Sequence, residues 1–246
     1  VQGGQATAAE WVQINPVLPF GWVGVESDTS QIKFGNGVND WNTLPYYYPT
    51  RLGDVLGGDY TGIEVDGTLR FVGDATVFND INISGNSLGV GPTSPGTVAL
   101  VGSGILTYAF IGTGVQVDEL HGSVEILHDY LEGSNIVPHV HWMPTTSDVG
   151  NVKWQMEYMW VNRGGTAVAS TTTSVVTAAG GTAWVGHISN FPAVSGAGMG
   201  MGSRFAFRIF RDPADGSDTY AFDAALLDIG IHYEVDTVGS RTVGSK

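Results

Sequence analysis

Val152, Trp154, Met156, Tyr158 and Trp160 alternate with Lys153, Gln155, Glu157 and Met159. A period of two sends the first set to one face of an extended strand and the second set to the other, a pattern no helix keeps on one side. A face made of two Trp, Val, Met and Tyr is a core face, and it demands a second layer to cover it. The same rhythm recurs with Phe205, Phe207 and Ile209, and with Ala225, Leu227, Ile229, Ile231, Tyr233 and Val235. Adding 117–127, 136–143, 167–178 and 182–189 gives about seven or eight strands at the spacing of a sandwich. The sequence therefore predicts an all-β protein, with residues 105–246 forming a C-terminal antiparallel β-sandwich of jelly-roll-like type.

Composition agrees. Charged residues make up 14% of the 246 and Gly contributes 36, a balance that suits short strands and tight turns rather than helices, which draw on Glu, Lys, Leu and Ala.

Residues 1–50 read as a separate small β module with one short helix. Thr7-Ala8-Ala9-Glu10 fits a capping box, so a helix starts there; Pro16 disfavours helical geometry at Asn15 and ends it near Ile14. Trp22–Glu26 and Gln31–Phe34 predict a hairpin around the turn-forming Ser27-Asp28-Thr29-Ser30. Trp41, Leu44 and Tyr46-Tyr47-Tyr48 supply more aromatic area than so short a segment is expected to bury by itself, and the sequence reading sends them against another chain.

Residues 51–104 read as a stem and connector. Asp66-Gly67 predicts a hairpin turn, and Ala75, Val77, Ile81 and Ile83 alternate as in a strand. Between Ser84 and Gly104, Gly, Ser and Pro dominate, and a domain boundary is expected there.

The net charge is −14, with 10 basic against 24 acidic residues. Three basic and ten acidic residues precede Thr107, leaving seven and fourteen after it, so no basic face forms. Binding to nucleic acid or an anionic membrane surface requires clustered Lys and Arg, and neither is expected. No apolar run approaches the roughly 20 residues of a membrane-spanning helix, so membrane insertion is not expected. The absence of Cys excludes disulfides, thiolate metal sites and Cys nucleophiles. The residues after Val1 show neither the charged nor the apolar region of a secretory leader, and no signal peptide is expected.

Five sub-motifs in one order carry a family resemblance: Thr7-Ala8-Ala9-Glu10-Trp11, Asn15-Pro16-Val17-Leu18, Gly24-Val25-Glu26-Ser27-Asp28-Thr29, Lys33-Phe34-Gly35-Asn36-Gly37 and Trp41-Asn42-Thr43-Leu44-Pro45-Tyr46. Together they resemble a module found near the N-termini of tailed-bacteriophage fibre and tropism proteins. Asn36 stands where that family often has Asp, a change that leaves the Gly-x-Gly turn intact. Farther along, Val137-Pro138-His139-Val140-His141-Trp142 and Phe210–Tyr220 are similar to C-terminal regions of phage virion proteins. The resemblance implies a homotrimeric component of the virion surface, its N-terminal module intertwined or anchored on capsid or tail proteins and its C-terminal domain facing outward. Two roles fit: a head fibre, spike or decoration protein, and a tail fibre that recognises a host surface glycan. Only about 55 residues separate module from sandwich, which favours a stubby spike over a long tail-fibre shaft.

His139 and His141, two apart on one strand, project to the same face. Three such pairs around a threefold axis would offer imidazole nitrogens to a transition metal, the alternative being an ordinary polar strand face. His232, on the polar face of the last strand, is a third candidate. Pro138 suggests that this strand is an edge or begins there. Asp212, Asp215, Asp218 and Asp223 raise calcium, but without the spacing of a helix-loop-helix site, and Asp-Pro and Asp-Gly are ordinary turn formers. Glu125, Asp129, Glu132 and Glu157 are the carboxylates available for glycoside hydrolysis. Nothing in their spacing pairs them, and no nucleophile-elbow, phosphate-loop or zinc-protease motif occurs, so catalysis is not expected. Trp184 and Phe191, beside Gly-rich loops, are the aromatic candidates for stacking on a receptor glycan.

Overall fold

The computed structural model describes residues 3–47, 60–63 and 68–244. The chain divides into two compact units, Val1–Leu69 and Arg70–Lys246.

In the first unit the Thr7 hydroxyl accepts the Glu10 N–H at 3.3 Å, and the Glu10 carboxylate accepts the Thr7 N–H at 2.8 Å. This reciprocal cap starts α1 (Ala8–Ile14), and Asn15, left-handed at φ 42°, stops it before Pro16. The expected hairpin forms as β2 (Val23–Glu26) and β3 (Ile32–Phe34). It is flanked by β1 (Gly3–Ala6), parallel to β2, and β4 (Tyr46–Tyr47), antiparallel to β3. Tyr48 lies outside the described residues.

The expectation that these aromatics need another chain is corrected for Trp41 and Leu44, which are buried within the unit, while Tyr47 stays exposed. Trp11 stacks on Trp41 with ring centroids 4.3 Å apart and planes 15° from parallel, and Leu18 completes a buried cluster. The buried Lys33 ammonium lies over the Tyr46 and Trp41 rings at 4.2 and 4.9 Å and donates to the Trp41 carbonyl at 2.8 Å. Its charge is held by π faces and a carbonyl, so the module makes a core from its own indoles and a cation.

β5 (Tyr60–Ile63) and β6 (Leu69–Val72) form a two-stranded sheet; the Asp66-Gly67 turn expected between them lies outside the described residues. The remaining strands are β7 (Val77–Ser84), β8 (Gly89–Val90), β9 (Gly96–Ala99), β10 (Leu106–Phe110), β11 (Asp118–Glu125), β12 (Ile136–Pro144), β13 (Asn151–Val161), β14 (Thr171–Ala178), β15 (His187–Asn190), β16 (Arg204–Arg211) and β17 (Ala224–Val235). One sheet runs β15-β12-β17-β10-β9, with β7 also on β17; the other runs β14-β13-β16-β11-β8. Apart from the β13–β14 hairpin, every connection from β10 to β17 crosses between the sheets, which gives the strand order of a jelly roll. The all-β sandwich read from the alternation is the fold observed.

The alternating residues meet where expected except at the start of β17, where a register shift opposite His141 and Trp142 puts Ala224 and Leu226 in the core in place of the expected Ala225 and Leu227. Val152, Trp154, Met156, Phe205, Ile209, Val140, Trp142, Ile229 and Ile231 are all buried between the sheets, each aliphatic or Phe side chain contributing about 1.5–3 kcal/mol over exposure. Two of the core indoles place their N–H groups, Trp142 on Ser189 and Trp160 on Ser203, both at 2.8 Å, whereas the buried Trp154 N–H has no partner.

Three further local readings differ. The segment 84–104, read as connector, contributes β8 and β9 to the sheet margins; strands of two and four residues leave too little alternation to rise above their Gly and Pro. Of 182–189, only His187 onward is strand, because Gly180, Gly181 and Trp184 all take positive φ. Pro138 is not at an edge, since β12 lies between β15 and β17. Its carbonyl accepts from Phe191 at 2.9 Å where β15 has ended, so its missing N–H faces a place where no ladder bond is required.

Candidate functional site

The outer face of the β12–β17–β7 sheet gathers titratable side chains from three strands. His139 stands opposite Gly230 across the β12–β17 pair, and His232 stands opposite Asp80 across β17–β7. Because Gly230 carries no side chain, the His139 imidazole lies down on the sheet above it: a Cβ at Gly230 would fall 2.1 Å from His139 Nε2. The His139 ring is thereby packed 4.3 Å from His232 and 5.0 Å from His141, measured between centroids.

His139 is 1% exposed, yet neither of its nitrogens forms a hydrogen bond of good geometry, Nδ1 being buried without a partner. Its Nε2 lies 3.6 Å from Asp80 Oδ2, and His232 Nε2 lies 3.9 Å from the same oxygen. One donor-type atom from each of Asp80, His139 and His232 falls within 4.8 Å of the other two. Burial holds the His139 imidazole below the usual histidine range; Asp80 opposes that effect, while His232 and His141 reinforce it. The arrangement is a neutral, locked imidazole beside a second imidazole and a carboxylate.

The candidate residues are thus partly brought together. His139 and His141 do share a face, but His141 turns toward Asp228, with its Nε2 at 3.7 Å from Oδ1. The partners that close around His139 are His232, considered from sequence, and Asp80, which was not. The signal that could have found Asp80 was the alternation of 75–83, which puts it on the face opposite Ile81 and Ile83.

Phe191 is 2% exposed and belongs to the sandwich core. As a glycan-stacking residue it is corrected: its ring presents no face to solvent. Trp184 is half-buried, left-handed at φ 62°, and held by its N–H to the Pro144 carbonyl at 2.8 Å. It lies at the end of the sandwich where β12 finishes. At the opposite end, Glu132, Asn162, Arg163 and Met199 line an open cleft of about 440 Å³.

Asp212, Asp215 and Asp218 are already engaged. Asp218 pairs with Arg211, Asp215 with Lys153 and the Ser217 N–H, and Asp212 accepts the Ala214 N–H. Of the carboxylates considered for hydrolysis, Asp129 accepts from the Tyr233 hydroxyl, Glu132 from the Met201 N–H, and Glu157 from Ser170 and Arg208. These three are each anchored in a local network of their own.

No family model matches the chain, and no curated protein matches it. Among solved structures, it is similar to the CBM36-1 domain of a multidomain xylanase from the hindgut metagenome of Trinervitermes trinervoides, at 12% identity and a TM-score of 0.37 over 62% of this chain and 96% of that one. It is also similar to a chain of the infectious bursal disease virus Gx strain structure, at 8% identity and a TM-score of 0.34 over 72% of this chain and 37% of that one. A third is the mannan-recognising carbohydrate-binding module TmCBM27, at 11% identity and a TM-score of 0.29 over 64% and 98%. These likenesses bear on no function. No helix among the described residues is long and apolar enough to cross a membrane.

Proposed function

We propose that this chain is a structural component of a tailed-phage virion surface: a trimeric head fibre, spike or decoration protein that exposes its jelly roll and acts by assembly, without catalysis. The observation that carries the reading is the N-terminal unit. The motifs that resemble the phage module fold into one sheet and one indole core, yet the unit leaves Phe20 86% and Val38 77% exposed, with Val17 exposed beside them. The three come from adjoining loops: the Gly37 N–H bonds the Leu18 carbonyl at 3.0 Å, and Val17 bridges Asp40. Apolar side chains this bare, on a module that has closed its own core, suit a surface made for a neighbouring subunit or a capsid protein.

Native mass spectrometry of the purified chain tests the trimer: a mass three times 25.9 kDa supports it, and a monomer at every concentration removes it. An antibody against the jelly roll tests the location, because it should label intact particles of a phage encoding the chain. Unlabelled particles overturn the virion assignment. The tail-fibre alternative rests on the half-buried Trp184 at one end of the sandwich and the polar cleft at the other; it requires that soluble chain compete with phage for adsorption to host cells.

A further inference from the structure

We infer that Asp80, His139 and His232 form a binding site for a divalent transition-metal ion, zinc in the first instance, on the outer face of the jelly roll. The inference is independent of the virion reading.

The argument begins with the backbone. β7, β17 and β12 are locked in antiparallel register along this face, so the three Cα positions are fixed by ladder bonds rather than by loops, as precise ligand placement requires. The side chains are then constrained in turn. Gly230 gives the His139 ring a floor, and His141 and His232 bound it on two sides. A buried imidazole without a good hydrogen bond is costly. Coordination at Nε2 gives that nitrogen a partner while leaving the buried Nδ1 as it is, and the direction of Nε2 toward Asp80 and His232 is the direction a shared ion demands.

Distances fit a small shift. Ligands about 2.1 Å from zinc in a tetrahedron stand about 3.4 Å apart, against 3.6 and 3.9 Å from the Asp80 oxygen to the two imidazole nitrogens. Asp80 and His232 are 34% and 45% exposed, so they can move onto a shared ion from within 4.8 Å of one another and of His139 while His139 stays put. Two imidazoles and one carboxylate select a borderline transition ion over calcium or magnesium, which prefer all-oxygen sites. Three protein ligands with solvent on the fourth side leave one position for water or an incoming donor. The site is complete within one chain; it does not need the threefold axis on which a His139–His141 pair would depend.

The test uses the whole chain, prepared without a polyhistidine tag, stripped by a chelator and titrated with zinc chloride by calorimetry. One ion per chain at micromolar affinity or tighter is expected, with cobalt in its place giving a visible d–d absorption band. Asp80→Asn and His232→Ala change partly exposed side chains and should leave the circular dichroism spectrum intact while weakening zinc by at least about tenfold. His121→Ala, on the other sheet, should leave affinity unchanged. Failure to bind zinc, equal binding by wild type and both variants, or magnesium binding as tight as zinc each overturns the site, the last because it marks diffuse attraction to an acidic surface.

Discussion

The guanidinium of Arg211 grips the carboxylate of Asp218 through two parallel bonds of 2.8 Å, from Nε to Oδ2 and from Nη2 to Oδ1, with both side chains buried. Arg211 also donates to the carbonyls of Phe110, Phe222 and Tyr220, and Asp218 accepts the Lys153 N–H at 2.9 Å. One ion pair therefore ties β16 to the ends of β10 and β13 and to the loop before β17.

Removing one partner of such a pair strands the other charge in the interior. Asp218→Ala is expected to cost about 3–5 kcal/mol, and Arg211→Ala at least as much, since three carbonyls lose their donor as well. Urea unfolding checks both; a loss under about 1 kcal/mol for Asp218→Ala, the range of an exposed pair, would mean that water reaches the site.

This pair also marks a limit of sequence reading. Asp212, Asp215 and Asp218 suggest an ion-binding loop because carboxylates near Pro and Gly look alike whether their oxygens face water, calcium or an arginine. Strands were legible wherever alternation lasted long enough, as in β13, β16 and β17 from Ile229 on, the register shift before it reversing the faces read for Ala225 and Leu227. Alternation failed for β8 and β9, which are too short to show a period. His139 and His141 could be placed on one face from their spacing, but Asp80 reaches them only through the β7–β17 register, a non-local pairing that no spacing encodes. Phe191 misled for a related reason: after β15 ends there is no periodicity to say whether an aromatic turns inward or out.

The N-terminal module should be most sensitive at Gly24 and Trp41. A Cβ at Gly24 would sit 2.3 Å from Trp41 Cζ3, and that ring cannot retreat because it is fully buried and stacked on Trp11. Gly24→Ala should cost about 1–3 kcal/mol as overpacking, and Trp41→Ala about 3–5 kcal/mol as a cavity. Hydrogen exchange over residues 3–47 reads both, with faster exchange expected in that order of severity. Unaltered exchange in Trp41→Ala would contradict the indole core.

Alkaline pH should destabilise the jelly roll through Tyr233. Its buried hydroxyl donates to Asp129 at 3.0 and 3.2 Å, and burial first, then the Asp129 charge, raises its pKa well above the ordinary tyrosine value. Once pH passes about 10, the unfolded chain releases this proton while the native state keeps it. The native state then binds more protons, so stability falls as pH rises through that window and is fully present below it. Tyr233→Phe should lose about 1.5–3 kcal/mol at neutral pH, the worth of a bond to a charged group, and show a shallower decline above pH 10. Some decline remains from Tyr130, which burial also raises. Thermal melts from pH 7 to 11 compare the two; parallel curves would sink the assignment to Tyr233.

The assembly surface can be tested without touching either core. Phe20 and Val38 are exposed and lie outside the buried indole cluster, so a charge there costs the isolated module little. In a trimer whose subunits meet through this surface, Phe20→Asp or Val38→Asp would bury an unpaired carboxylate in each interface, which proteins avoid at several kcal/mol. Repetition by symmetry multiplies that penalty. Both variants should therefore keep the wild-type circular dichroism spectrum and melt as monomers, with sedimentation velocity reporting the loss of the larger species. A trimer that survives both substitutions would place its contacts elsewhere and leave the bare face for a capsid partner.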